Sequence, residues 1–148
     1  MPESPIAFIT EDIDFSLIDQ DKIKEWLSRI ILKHDFELTE LTYIFCSDAY
    51  LHQINLDYLD HDTYTDIITF NNADEPGVIE SDIFISVDRV KENAETLATS
   101  FPNELHRVMI HGVLHLLGFD DKTPELKEKM RLEEDRSLMA RNFSTEGI

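Results

Sequence analysis

The stretch Met109-Ile110-His111-Gly112-Val113-Leu114-His115-Leu116-Leu117 constrains this chain more than any other, because it is apolar on nearly every side of a helix yet carries two histidines. A helix that is hydrophobic all round must be enclosed by other elements, so the rest of the chain has to build a shell for it. Pro102 opens this helix and Gly118 stops it. His111 and His115 are four apart, so they project within about 40° of each other, one turn apart. The break at Gly118 lets the chain reverse, which brings Asp121 back toward the pair. His111-x-x-x-His115-x-x-Gly118-x-x-Asp121 thus offers two nitrogens and an oxygen, a donor set suited to a tetrahedral Zn²⁺ ion with its fourth position open. A helical histidine pair can also sit hydrogen-bonded in a core. Burying two neutral imidazoles without strong partners is costly, however, and the glycine break with its returning carboxylate favours a metal site.

The remaining segments supply the shell. Ile23, Trp26, Leu27, Ile30 and Ile31 recur at helical spacing after Asp19 and Asp21, both suited to capping, and predict an amphipathic helix over about residues 20–33. Leu38 to Phe45, Ile67 to Phe70 and Ile83 to Ser86 are short β-branched and aromatic runs between turn-forming residues, and read as strands, with a fourth at Ile6 to Thr10. Ser47 to Leu56 reads as a short helix capped by Ser47 or Asp48, Val87 to Thr99 as another opened near Asp88, and Pro124 to Met139 as a last amphipathic helix. Asp66 and Asp82 at strand starts, and Ser86 where it can cap the following helix, read as structural. Residues 142–148 are expected to fray. At 148 residues, with no repeat and no long linker, the chain is expected to form one α+β domain over residues 1–148: a small mixed sheet of about four strands packed with about five helices.

Charge restricts the partners. With 13 Lys and Arg against 31 Asp and Glu the net charge is −18, which excludes long-range attraction to nucleic acid or anionic lipid as a general property. The excess is uneven: residues 34–88 hold 13 acidic and no basic residues, whereas residues 89–148 hold 11 and 9. Tyr43, Phe45, Tyr64, Phe70 and Phe84 fall within the acidic block, so it is folded core with acidic edges. The single cysteine, Cys46, excludes an intramolecular disulfide and a thiolate metal site. No apolar run approaches about 18 residues, and a soluble cytoplasmic protein with no membrane partner is expected.

The helix resembles the central helix of zincin peptidases, whose H-E-x-x-H motif places a general-base glutamate after the first histidine. Here that position is Gly112, so peptide hydrolysis lacks its usual proton acceptor. A more activated electrophile, such as a phosphodiester, remains open to attack by metal-activated water.

His111-Gly112-Val113-Leu114-His115-Leu116-Leu117-Gly118-Phe119-Asp120 resembles the signature H-G-x-L-H-L-x-G-[YF]-D-H of the YbeY family of single-strand-specific endoribonucleases. Asn55 to Phe70 is similar to the family's N-x-x-Y-R-x-x-D-x-P-T-D-V-L-S-F, and Asp82-Ile83-Phe84-Ile85-Ser86 to its G-D-I-x-I-S. The resemblance implies an α+β fold, one zinc ion per chain, single-stranded RNA as substrate, small-subunit ribosomal RNA 3′ maturation and ribosome quality control. It places Thr65, Asp66 and Ser86 at the cleft and carries the metal site onto His111, His115 and Asp121. Asp121 stands where the family has a third histidine, with Asp120 as the rival ligand. Leu59 stands where the family has an arginine, and Arg107, one turn before His111, or His61, two residues after Leu59, could substitute for it.

Three functional readings follow. The first is a zinc-dependent endoribonuclease whose nucleophile is water or the RNA 2′-hydroxyl. The second, favoured by the missing arginine and the −18 charge, is a ribosome-assembly factor with a structural metal. The third is a metallopeptidase. The near-balanced segment with Arg107, Lys122, Lys127, Lys129 and Arg131 is the expected RNA contact, and the acidic block is the expected dock for basic ribosomal proteins. No DNA partner is expected.

Overall fold

The stripe from Ile23 to Ile31 becomes the buried face of helix α1 (Gln20–Lys33) in the computed structural model, which describes residues 4–61, 64–141 and 143. Asp19 occupies its N-cap position, but with a left-handed backbone (φ 60°) and no side-chain cap. Burial of the stripe therefore starts this helix, not a capping carboxylate. The other elements are β1 (Ile6–Thr10), β2 (Glu37–Cys46), α2 (Asp48–Leu59), β3 (Ile67–Asn71), β4 (Val78–Ser86), α3 (Val87–Thr96), α4 (Phe101–Leu116) and α5 (Pro124–Met139). The sheet runs β1-β2-β4-β3, with β1, β2 and β4 parallel and β3 antiparallel to β4. This is the expected α+β domain with a mixed four-stranded sheet and five helices.

Three boundaries differ from the sequence reading. β4 begins at Val78 rather than Ile83, because it pairs with β2 along its whole length from Glu37↔Val78 to Cys46↔Ser86. Its first half alternates Ile79 and Ser81 inward with Glu80 and Asp82 outward, and those acids obscured the strand. Helix α2 runs on to Leu59, and α3 stops at Thr96 ahead of a left-handed Ala98. The serine caps form as expected: Ser47 Oγ accepts from the Tyr50 N–H at 3.0 Å and Ser86 Oγ from the Arg89 N–H at 3.1 Å.

The two sheet faces carry separate cores. Leu41, Tyr43, Phe45, Ile79, Ile83 and Ile85 pack with α1 and α4 on one face. Cys46 and Ile68 pack with Leu51 and Ile54 of α2 on the other. Helix α4 is enclosed as its composition demands, with Leu105, Val108, Met109, Ile110, Val113 and Leu114 all buried. Two buried polar tips tie the layers: Tyr43 Oη donates to the Met109 carbonyl at 2.8 Å and Trp26 Nε1 to the Ser137 carbonyl at 2.7 Å. Of the tail expected to fray, Phe143 is half-buried against Trp26 and His106, and the rest lies outside the described residues.

Gly112 sets how closely α4 lies on the sheet. A Cβ at this position would sit 3.0 Å from both Ile67 Cδ1 and Ile83 Cδ1 and 3.3 Å from Thr69 Oγ1. The helix backbone thus rests on β3 and β4, which brings the two histidines to the sheet's β3 end.

Candidate metal centre

His111 and His115 occupy successive turns near the C-terminus of α4, with ring centroids 4.8 Å apart and planes at 80°. Gly118 follows with φ 107°, a conformation that suits glycine, and its N–H closes onto the His115 carbonyl at 3.1 Å. The chain then turns back. Asp121 Oδ2 lies 3.6 Å from His111 Nε2, and Oδ1 lies 3.6 Å from His115 Nε2. One donor atom from each of the three residues falls within 4.8 Å of the others, and no other such group occurs among the described residues. Donors held at about 2 Å by a tetrahedral ion stand roughly 3.3 Å apart, so the two 3.6 Å separations to Asp121 are close to those a divalent metal requires, and the widest separation in the set has to contract around the ion. Asp120 is otherwise engaged: its Oδ1 accepts from the Asp121 N–H at 2.6 Å and the Lys122 N–H at 3.1 Å, which builds the turn that presents Asp121.

The ring orientation is fixed from α5. His111 Nδ1 lies 2.6 Å from Glu134 Oε2, so the carboxylate holds a proton on Nδ1 and leaves Nε2 free to face Asp121. Burial opposes a charge on this ring, but the Glu134 hydrogen bond and charge, with Asp121 and Asp66 beyond, outweigh it and raise the His111 pKa. Glu134 is itself buried, and its other oxygen accepts from Arg107 Nη1 at 2.8 Å. Arg107 Nη2 donates to Asp135 Oδ1 at 2.7 Å. The guanidinium that could have substituted for the family arginine is thus bound to two α5 carboxylates.

A cleft of about 640 Å³ opens in front of the histidines, lined by β3, the end of α2 and the loop that carries Asp121. Thr65, Asp66, Leu59 and His61 line it, together with Asn55. No Lys or Arg is among its described lining residues, so the position of the family arginine stays apolar, and of the two residues that could substitute for it His61 is the one that reaches the cleft. Arg107 lies on an adjoining groove of about 240 Å³, with Asp66, Glu104 and Glu134. Burial raises the Asp66 and Glu104 pKa values, and the Asp66 charge raises Glu104 further. Ser86 is not at the cleft, contrary to the resemblance: it is fully buried and donates to Asp48 Oδ1 at 3.2 Å. Asp82, in the same motif and on the interior strand β4, accepts from Asn72 Nδ2 at 3.2 Å.

Glu134 and Glu104 were missed from the sequence. A signal for Glu134 exists: Met130, Glu134, Ser137 and Leu138 are the buried residues of α5, so a carboxylate stands on that helix's inward stripe.

The family model described as Endoribonuclease YbeY matches residues 8–142. The chain belongs to the YbeY family. It is 52% identical over 143 residues to the Endoribonuclease YbeY of Cytophaga hutchinsonii, covering 97% of this chain and 100% of that protein. It is 46% identical over 140 residues to that of Amoebophilus asiaticus, covering 95% of each. The solution structure of TM1509 from Thermotoga maritima superposes with a TM-score of 0.61 at 26% identity, covering 97% of this chain and 99% of that one. Membership in the YbeY family agrees with the motif read from His111 to Asp120. No helix among the described residues is long and apolar enough to cross a membrane.

Proposed function

We propose that this protein is a zinc-dependent endoribonuclease that cleaves single-stranded RNA in the cytoplasm, acting in small-subunit ribosomal RNA 3′ maturation and ribosome quality control. The observation that carries the reading is the His111, His115 and Asp121 group at the wall of an open cleft in a chain of the YbeY family. In this reading His111 Nε2, His115 Nε2 and an Asp121 oxygen hold the metal, which when bound supplies Lewis acidity at the scissile phosphate.

The chain's own residues do the rest. Glu134 keeps the proton on His111 Nδ1 and so maintains the ring as a nitrogen donor. Arg107 and Asp135 hold Glu134 in place, which makes Arg107 a positioning residue. His61, at the cleft, is the candidate for moving a proton or meeting a phosphate oxygen. Gly112 cannot take the role of a peptidase base, because it lies against Ile67 and Ile83 with no room for a side chain.

The test is cleavage of a single-stranded RNA by the purified protein beside its His115→Ala variant. Cleavage that is lost in the variant supports the reading, and equal cleavage by both overturns it. A 2′,3′-cyclic phosphate end identifies the 2′-hydroxyl as nucleophile, since attack by water does not produce it directly. The absence of Lys and Arg among the described residues of the cleft lining favours a second reading, an assembly factor with a structural metal. That reading expects no cleavage while association with the small ribosomal subunit persists.

A further inference from the structure

Strand β3 ends the sheet and uses only one of its two edges. In the ladder to β4, the Ser86 N–H donates to the Asp66 carbonyl and the Asn72 N–H to the Glu80 carbonyl. With a period of two, the even-numbered residues face β4, so the N–H and C=O groups of Ile67, Thr69 and Asn71 point outward. No strand among the described residues pairs with that outer edge. The Thr65 hydroxyl reaches the Ile67 carbonyl at a long 3.4 Å.

This edge forms one wall of the cleft. Ile67, Thr69 and Asn71 line it together with His111 and His115. An open strand edge is a template for another extended chain, which gains main-chain hydrogen bonds by adding to it. Five residues of edge at about 3.4 Å each offer roughly 17 Å, enough for five or six residues of an added strand. Charge selects the occupant: Asp66 lines the cleft beside the proposed metal ligand Asp121, no described Lys or Arg lines it, and residues 34–88, which include β3, hold 13 Asp and Glu and no Lys or Arg.

We propose that the outer edge of β3 docks an extended, lysine- and arginine-rich polypeptide segment, which adds as a further strand and fills the cleft in front of His111 and His115. Docking stands on the edge and the charge alone. Its consequence, exclusion of RNA from the same space, rests on the ribonuclease reading.

The probe is the synthetic peptide acetyl-Lys-Val-Lys-Thr-Lys-Val-Lys-amide, with amide hydrogen exchange followed on the full chain as purified. Exchange at Ile67, Thr69 and Asn71 is expected to slow at least about ten-fold, while Ile68 and Phe70, already bonded to β4, change little. The same peptide N-methylated at alternate residues keeps its charge but cannot pair, and is expected to bind at least about ten-fold more weakly and to protect none of these amides. Equal binding of both peptides, protection elsewhere, or no binding overturns the proposal. Thr69→Pro removes one outward N–H and no ladder bond, and is expected to weaken the unmodified peptide while metal content is retained. RNA cleavage with and without peptide separates the two readings. No cleavage by the free protein with the edge protected defeats only the ribonuclease reading, and cleavage with an unprotected edge defeats only the docking.

Discussion

Glu134 reaches back 23 residues to His111, with a carboxylate oxygen 2.6 Å from Nδ1, while its second oxygen receives Arg107. The carboxylate thereby couples the last helix to the candidate metal centre. Glu134→Gln preserves the shape but withdraws the charge, and is expected to weaken metal binding about 10–100-fold in competition with a chelator. Arg107→Gln is expected to produce a smaller loss of the same kind, because it frees Glu134 to move, with the KM for RNA unchanged. A raised KM with metal affinity intact would make Arg107 a phosphate contact.

Asp121 and Asp120 divide the work of one loop. Asp121→Ala is expected to lose bound metal, measured as metal per chain after purification. Asp120→Ala is expected to keep it and to lose about 1 kcal/mol of stability, since it forfeits the bonds to the Asp121 and Lys122 N–H groups.

Gly112→Glu recreates the peptidase motif and is expected to fail as a peptidase. The new Cβ meets Ile67 and Ile83 at 3.0 Å, and a carboxylate would follow it into the sheet interface. Overpacking and a buried charge together are expected to cost more than about 3 kcal/mol in urea unfolding, with no turnover of an unstructured peptide.

His106 makes the fold sensitive to acid. Burial, assisted by the positive Arg141, pushes its pKa down to about 4, and its Nδ1 lies 2.8 Å from Arg141 Nη1. A base whose folded pKa lies below its unfolded value of about 6.5 favours the fold when neutral. Its contribution is therefore complete above about pH 6.5 and is lost as the pH falls through about 4, at up to ~1.4 kcal/mol per pH unit. His106→Asn keeps an acceptor and removes the titration. Urea midpoints measured between pH 7 and pH 4 are expected to fall less steeply for the variant.

The local features of the site were legible in the sequence because they depend on one helix and its exit. The spacing of His111 and His115, the stop at Gly118 and the return to Asp121 need only helix geometry and a left-handed glycine. The serine caps and the α1 stripe are equally local. What depends on packing was not legible. Arg107 was placed correctly beside His111, but its partners belong to a helix 27 and 28 residues away. The first half of β4 alternates acids with buried residues, and only pairing with β2 makes it a strand. Ser86 matched the family motif, yet the motif does not distinguish a helix cap from a cleft wall.

The dependence of His111 on α5 also has an order in time. In a chain made from its N-terminus, His111, His115 and Asp121 all emerge before Glu134 exists to orient the first of them. A nascent chain that has reached Asp121 therefore carries all three proposed ligands, with the His111 imidazole free to choose either tautomer. The carboxylate that orients His111 arrives with the final helix, when Trp26 closes onto Ser137 and the earliest and latest helices of the chain meet.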